Sequence, residues 1–402
     1  MEDTSIESLY KTSARLVRLT TTDFHRYLYN QINWDNWLIA IKGPRGVGKT
    51  TMMLQRIKDN FTDTPDKALY VSLDNLWFAN HSMSEVVEYH YNHGGTHLFI
   101  DEVHKYPLWQ TLIKNITDEY PDLHVVFTGS SMLKIDSSQG DLSRRMLDYT
   151  LNVMSFREFL SFEGAMEVSP IPLLELLSNH AAIAMRLTSD VKILPLFEKY
   201  LKHGCYPFYK RDFDGFAQRL QKAVHAVLYE DVPAVEEITY PTILKLSRML
   251  MILSEHVPQT PKMNELYAIL ETNREQGMKL LYMLQRSGLL HLLSSETKEF
   301  GNLVKPDKIF LHDPNLMYAL SNNANIGTVR ETFFINQLSA ISKVNYPRKG
   351  DFLVDHKHLF EVGGKGKKFD QIKDVPDSYL AVDDTEIGHV NRIPLWMFGF
   401  LY

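Results

Sequence analysis

A glycine-rich stretch near the amino end carries residue types and a spacing that bind phosphate. Residues 43–50 read GPRGVGKT and fit the pattern G-x-x-x-x-G-K-[ST]. Glycines let backbone N–H groups wrap closely around an anion, and the following helix start adds its positive dipole end. The spacing predicts that Lys49 reaches terminal phosphates and that the Thr50 hydroxyl holds Mg²⁺. The nucleotide-binding residues would be Gly43, Pro44, Arg45, Gly46, Val47, Gly48, Lys49, Thr50 and Thr51.

Two adjacent carboxylates follow an apolar run further along the chain. Leu98-Phe99-Ile100 leads into Asp101 and Glu102, which predicts a buried strand that ends in acids. Parallel strands of nucleotide-binding sheets present their carboxyl ends to the ligand. On this interpretation Asp101 completes the Mg²⁺ shell and Glu102 polarises the attacking water. The alternative is a solvated strand end, and the position after a phosphate loop favours the catalytic interpretation.

A hydroxyl and two arginines are further candidates for contact with the γ-phosphate. Ser130 follows a predicted strand and either senses that phosphate or caps a helix. Arg144 and Arg145 precede the next strand. One of them would neutralise charge that develops during phosphoryl transfer, in its own chain or from a neighbouring subunit. The alternative is a solvated surface pair.

The elements that position these residues alternate between strand and helix. Short apolar runs separated by longer polar stretches predict a mostly parallel sheet covered by helices. The predicted strands are 37–42, 68–73, 97–101, 123–128 and 149–153. A helix from about 50 to 57 follows the phosphate loop. Ser155 and Glu158 have the spacing of a capping box and predict a helix start.

Four stretches in this order resemble one known family. GPRGVGKT, LFIDEVHKYPLW, VVFTGSSM and MSFREFL are similar to the prokaryotic AAA+-type ATPases related to the signal-transducing ATPases with numerous domains. The resemblance implies an α/β P-loop NTPase fold with strand order 5-1-4-3-2. It also implies that Glu102 is the catalytic acid, Ser130 the sensor and Arg145 the arginine that acts on nucleotide. The family more often has Gly-Arg where this chain has Arg144-Arg145, so the choice of arginine stays open.

The middle of the chain is predicted to be helical. Residues 165–239 are expected to form a lid beside the nucleotide domain. In residues 240–322, three helices and two strands follow in an order that resembles a winged helix-turn-helix. Its recognition helix, 274–287, and its wing would offer polar side chains to DNA: Arg274, Gln276, Lys279, Gln285, Arg286, Lys298 and Lys305. The alternative is that this domain packs on the ATPase and transmits its state.

Residues 323–402 are predicted to form a separate small α/β domain. The order helix, hairpin, helix, strand resembles the restriction-endonuclease-like core, whose signature is an Asp followed by Glu-x-Lys. In an active nuclease, Asp351 and Glu361 would form a second metal site that activates water. The alternative, which the sequence favours, is a nuclease-like fold that serves as an interaction or nucleic-acid-binding module. Gly363 occupies the lysine position, and Lys365 would face the same side of an extended strand. Glu331 would either assist this metal or form a capping box with Thr328.

The composition is that of an ordinary globular protein. The net charge of −6 gives no support for attraction to bulk nucleic acid or to an anionic membrane. Cys205 is the single cysteine, which excludes an intramolecular disulfide and fits a reducing cytosol. The amino end lacks the pattern of a signal peptide, and no apolar run approaches the ~18 residues of a membrane span. A cytoplasmic protein without a membrane partner is expected.

The sequence as a whole predicts an enzyme with four domains, at 1–164, 165–239, 240–322 and 323–402. It would bind ATP with Mg²⁺, hydrolyse it, and couple the resulting switch to DNA or to a protein partner, with a homo-oligomer as a further option. One alternative is a metal-dependent DNA nuclease regulated by ATP. Another is a non-enzymatic DNA-binding regulator.

Overall fold

The structure, a computed structural model, describes residues 5–130, 144–256, 262–296 and 304–402. Two compact units divide the chain. The first contains residues 1–152 and 229–237, and the second contains 153–228 and 238–402. No helix within the described ranges combines the length and apolar character that a membrane crossing requires. The predicted wing residue Lys298 lies outside the described residues, and the four predicted domains stay a prediction.

The described part of the first unit contains a five-stranded parallel sheet, as the sequence predicts. Its strands are β1 (Leu38–Lys42), β2 (Ala68–Ser72), β3 (His97–Asp101), β4 (His124–Gly129) and β5 (Leu147–Thr150). Its longer helices are α1 (Ile6–Leu19), α2 (Lys49–Phe61), α3 (Met83–Asn92) and α4 (Trp109–Glu119). The segment 229–237 adds a short helical turn, Val232–Val235.

The strand order brings the chemistry-bearing residues to one edge of this sheet. The strands lie in the order β2-β3-β4-β1-β5. β1, β3 and β4 are almost wholly buried because helices cover the sheet, which explains their near-continuous apolar runs. Since all five strands are parallel, the loop after β1, the acids after β3 and the residues after β4 share the carboxyl edge.

The second unit begins with helices. These are α5 (Phe156–Phe162), α6 (Leu173–Leu187), α7 (Ile193–Lys199), α8 (Phe216–Ala226), α9 (Tyr240–His256), α10 (Met263–Ile269), α11 (Arg274–Arg286) and α12 (Pro314–Leu320). The predicted capping box at α5 is confirmed, because Ser155 and Glu158 exchange both hydrogen bonds. β6 (Leu290–Leu293) and β7 (Lys308–Leu311) pair antiparallel after α11. Asn273 caps α11, and its side chain accepts a hydrogen bond from the Gln276 N–H.

A second sheet lies at the carboxyl end of the chain. It follows α13 (Ile326–Ser339) and contains β8 (Val344–Asn345), β9 (Phe352–Val354), β10 (His358–Gly363), β11 (Ser378–Val382) and β12 (Arg392–Pro394). The order is β12-β11-β10-β9-β8, with β8, β9 and β10 antiparallel and β10, β11 and β12 parallel.

Two local predictions in this region are wrong. Asn325 caps α13 and accepts from the Gly327 and Thr328 N–H groups, so Thr328 lies inside the helix and forms no capping box with Glu331. The helix expected between the hairpin and the next strand is replaced by turns across 364–377. Glycines and a proline in that stretch disfavour a helix.

Candidate functional site

The phosphate loop follows β1 in a backbone conformation that its glycines permit. A Cβ atom at Gly43 would lie 2.3 Å from the Leu151 carbonyl oxygen, so any side chain there would clash with backbone. Gly48 has φ of 103° and occupies the cap position of α2 in the left-handed region. Pro44 and Val47 are buried beside it, while Gly46 and Thr51 are exposed. The loop therefore turns directly from the strand into the helix start.

The lysine of the loop is buried, with 6% of its surface exposed. The Lys49 Nζ donates to the carbonyl oxygens of Gly43 at 2.8 Å and Pro44 at 3.0 Å. Burial lowers the pKa of Lys49, and the carboxylates of Glu102 and Asp101 act in the opposite direction. A desolvated ammonium held against the loop is well placed to bind phosphate oxygens.

Thr50 and Asp101 come together as the sequence spacing suggested. The Thr50 Oγ1 donates to the Asp101 Oδ2 at 2.6 Å. The Tyr70 hydroxyl donates to the same oxygen at 2.8 Å, and the Thr128 hydroxyl donates to Oδ1. Asp101 is only 3% exposed, so these hydroxyls replace water around the carboxylate. Sequence reasoning did not identify Tyr70 or the role of Thr128.

Glu102 has an unusual backbone conformation for a residue with a side chain. Its φ of 56° lies in the left-handed region, where strain is often associated with functional sites. The Glu102 N–H donates to the Thr128 Oγ1 at 3.2 Å. Burial raises the pKa of Glu102, while the positive charge of Lys49 opposes that shift. Burial therefore favours the protonated form of this carboxyl group more than water would.

A histidine that the sequence did not single out lies beside Glu102. The His104 Nε2 is 3.3 Å from the Glu102 Oε2 and 3.4 Å from the Asp231 Oδ1. The Ser130 backbone N–H donates to the His104 Nδ1 at 3.4 Å. His104 therefore connects the Ser130 backbone to Glu102, and the sensor role of Ser130 stays a prediction. Asp231 belongs to the segment 229–237, which lies far along the chain from the phosphate loop and from Asp101 and Glu102.

The two candidate arginines lie elsewhere. The Arg145 Nη1 pairs with the Asp118 Oδ1 at 2.7 Å, and Arg144 is exposed. β5 is parallel to β1, and Arg145 precedes β5, so it lies at the amino edge of the sheet, opposite the phosphate loop. Within one chain this position keeps Arg145 away from the phosphate loop. Arg45, by contrast, pairs with the Asp231 Oδ1 at 2.8 Å.

A second cluster of charged side chains lies in the carboxyl-terminal sheet. Glu361 is 1% exposed, and its Oε1 is 2.7 Å from the Lys367 Nζ. Within the described residues the Glu361 Oε2 has no hydrogen-bond partner. The Lys308 Nζ lies 3.4 Å from the Asp351 Oδ1 and 3.3 Å from the Glu331 Oε2. The lysine beside Glu361 is therefore Lys367, because the strand ends at Gly363 before Lys365.

Asp351 is tied to the strand that carries Glu361. The Val362 N–H donates to the Asp351 Oδ2 at 2.9 Å. Burial raises the pKa of Glu331, and the ammonium of Lys308 opposes that shift. Three carboxylates thus share two lysine ammonium groups in this cluster. Glu331 reaches this network and contributes nothing to the start of α13.

The exposed polar face predicted for α11 is present in part. Arg274, Gln276 and Lys279 are exposed, whereas Gln285 and Arg286 are half-buried. The Lys279 Nζ forms an ion pair with the Glu275 Oε1 at 2.8 Å. Part of the positive charge on this face is therefore neutralised by the helix itself.

Comparison with known proteins finds a domain model that matches the first part of the chain. Residues 35–160 match a family model described as an AAA domain. This range contains the phosphate loop and the strands that carry Asp101 and Thr128. The first unit has an AAA-type P-loop fold. Residues 194–326 match a model described as a domain of unknown function, and a search of curated proteins gives no significant match.

Solved structures resemble this chain only weakly. C. elegans PCH-2 is 16% identical, with a TM-score of 0.24 over 44% of this chain and 48% of that chain. AMPPCP-bound DnaA from Aquifex aeolicus is 14% identical, with a TM-score of 0.27 over 71% of this chain and 91% of DnaA. The S. cerevisiae Hsp104-ADP complex is 15% identical, with a TM-score of 0.29 over 70% of this chain and 39% of Hsp104. This chain spans less than half of PCH-2 and Hsp104, and such low scores carry no argument about its function.

Proposed function

We propose that this chain is a Mg²⁺-dependent ATPase whose site lies at the carboxyl edge of the first sheet. The observation that carries the proposal is the contact between Thr50 and Asp101, 2.6 Å apart, next to the buried Lys49. A hydroxyl and a carboxylate are hard oxygen donors, which suit Mg²⁺. The donor set therefore fits the metal that ATP carries.

Each residue has a defined part in this reaction. Lys49 and the loop N–H groups hold the phosphates, and Thr50 and Asp101 hold Mg²⁺, which neutralises phosphate charge when bound. Glu102 orients water and accepts its proton, helped by a pKa that burial raises. We propose that Ser130 contacts the terminal phosphate. Arg145 would act only from a second copy of the chain.

Replacement of Glu102 tests the assignment of the catalytic acid. Glu102→Gln keeps the size of the side chain but cannot accept the proton, so turnover should fall about 100-fold or more. Phosphate release from ATP with Mg²⁺ measures turnover, and calorimetric titration measures ATP affinity, which should be retained. The control Glu88→Gln removes an exposed carboxylate from α3. Turnover of Glu102→Gln equal to that of the control would refute the assignment.

We further propose that ATP turnover is coupled to a partner through the second unit. Helices α10 and α11 followed by the β6–β7 hairpin have the element order of a winged helix-turn-helix. Duplex DNA should accelerate phosphate release if this surface binds DNA, and the effect should weaken steeply with salt. A DNA partner would be supported if DNA accelerates phosphate release and Arg274→Gln abolishes this acceleration. An unchanged rate would favour a protein partner.

A second candidate function is metal-dependent cleavage of DNA at the carboxyl-terminal sheet. The observation in its favour is the buried Glu361, whose Oε2 lacks a partner among the described residues, next to the Lys367 ammonium. Asp351 and Glu361 would hold the divalent metal. Glu361→Gln should abolish any cleavage with Mg²⁺ or Mn²⁺, while Glu386→Gln serves as control. Absence of cleavage by the purified wild-type protein would refute this function.

A further inference from the structure

Asp231 is a buried carboxylate in a segment that returns to the first unit from another part of the chain. Residues 229–237 belong to the first unit, whereas the residues that precede and follow them belong to the second. Asp231 ends a π-helical turn, Val227–Asp231, and is 3% exposed. Such turns often occur at functional sites. A buried charge in this position requires partners of opposite sign.

Cationic partners surround the Asp231 carboxylate. The Asp231 Oδ1 lies 2.8 Å from the Arg45 Nη1 and 3.7 Å from the Lys105 Nζ. The neighbouring Glu230 is exposed and contacts the same two cations. Its Oε2 lies 3.5 Å from the Arg45 Nη1 and 3.3 Å from the Lys105 Nζ. Arg45 belongs to the phosphate loop itself. The segment 229–237 therefore holds the loop through a charge-assisted hydrogen bond.

His104 connects Asp231 to the catalytic acid. Because the Ser130 N–H points to Nδ1, a neutral His104 carries its proton on Nε2. That Nε2–H faces two acceptors, the Glu102 Oε2 at 3.3 Å and the Asp231 Oδ1 at 3.4 Å. One hydrogen is shared between two carboxylates. A change in the charge or position of Asp231 therefore changes how firmly His104 holds Glu102.

This group is better explained as a hydrogen-bond network than as a metal site. Glu102, His104 and Asp231 offer ligand atoms that all lie within 4.8 Å of one another. The Arg45 and Lys105 cations already neutralise Asp231, and Lys49 is an additional positive charge beside Glu102. A further cation would be repelled by these groups.

We infer that Asp231 is a positioning residue that responds to phosphate at the loop through Arg45 and sets the catalytic acid Glu102 through His104. The inference rests on the proposed ATPase function of this site. ATP phosphates compete with the Asp231 carboxylate for the Arg45 guanidinium. When they draw Arg45 away, Asp231 loses its closest cation and binds the His104 Nε2–H more strongly. The nucleotide state is thereby relayed to the segment 229–237.

Asp231→Asn tests the relay because asparagine keeps the size and one oxygen but removes the charge. Arg45 is released for phosphate, so KM for ATP should fall. The His104 Nε2–H then stays on the Glu102 carboxylate, which is less free to accept the proton of water, so kcat should fall about fivefold or more. Hydrogen exchange across residues 227–235 should respond to ATP in the wild-type protein and not in the variant. Asp231→Glu restores the carboxylate and should recover part of kcat.

Two further variants make the test decisive. Arg45→Gln breaks the same pair from the other side and should also remove the ATP-dependent change in exchange. Glu237→Gln removes an exposed charge from the same segment and should match the wild type. The inference would be overturned if the wild type is active but Asp231→Asn and Arg45→Gln show the same kcat, KM and hydrogen exchange as Glu237→Gln. A wild type that releases no phosphate from ATP would refute the proposed function itself.

Discussion

Individual side chains at this site are held by residues that lie far away in the sequence. Asp101 accepts hydrogen bonds from three hydroxyls, and Tyr70 supplies one of them at 2.8 Å. Burial raises the pKa of Tyr70 far above its usual range, so the hydroxyl stays protonated and donates. A buried carboxylate that loses such a donor loses one of the hydrogen bonds that replace its contacts with water.

Tyr70→Phe should therefore destabilise the first unit by about 1.5–3 kcal/mol, the usual value of a hydrogen bond to a charged group. Denaturant unfolding followed by circular dichroism measures the loss. Tyr120→Phe is the matched control, since Tyr120 is partly exposed at the end of α4. Equal stability of the two variants would show that the Tyr70 hydroxyl does not support Asp101.

At the scale of elements, neighbouring strands of the first sheet share a pair of stacked histidines. His97 starts β3 and stacks on His124, which starts β4, with ring centroids 4.6 Å apart. Burial lowers the pKa of His97 to about 4, and the positive charges of His124 and Arg56 act in the same direction. The folded protein therefore keeps His97 neutral at pH values where the unfolded chain protonates it.

The sign of the resulting pH dependence follows from linkage. Between pH 6.5 and about 4 the unfolded state binds the extra proton, so the free energy of unfolding should decrease as the pH falls. The full shift corresponds to about 3.4 kcal/mol, and solvent screening of the partly exposed ring reduces the expected loss to roughly 2 kcal/mol. His97→Gln should flatten this part of the profile, as measured by denaturant unfolding at several pH values. The exposed His93→Gln should leave it unchanged. A wild-type slope that survives His97→Gln would contradict the assignment.

At the scale of the whole molecule, the chain divides into two units that contain different candidate sites. The phosphate loop lies in the first unit, and the Glu361 cluster lies in the second. A ligand that binds only the folded form stabilises the part of the protein that holds it. The two units therefore offer separate readouts for ATP binding.

ATP with Mg²⁺ at about 100 times its Kd should stabilise the first unit by about 2.7 kcal/mol. Hydrogen exchange should slow in β1, β3 and β4 more than in β10 and β11. Lys49→Ala should remove the effect because the loop loses its phosphate-binding ammonium, whereas the exposed Lys262→Ala should preserve it. Equal slowing in both sheets would show that the two units unfold as one.

Local patterns were sufficient to predict much of the first unit and the first helix of the second. The phosphate loop, the strand that ends at Asp101 and the cap of α5 at Ser155 depend on spacings of a few residues. Hydrogen bonds and dihedral preferences over a few residues act within one segment. The sequence of that segment therefore determines these features without reference to the remainder of the chain. The same local rules failed at α13, where Asn325 competes successfully with Thr328 for the cap position.

Contacts between distant segments were decided by the tertiary structure alone. Tyr70 and Thr128 reach Asp101 across 31 and 27 residues, and Asp231 reaches His104 across 127. Strand order sets the first two contacts, and the return of segment 229–237 sets the third. The direction of β5 likewise places Arg145 at the amino edge. Sequence periodicity reports which face of an element is buried, but not which other element covers it, because many pairings bury the same apolar surface.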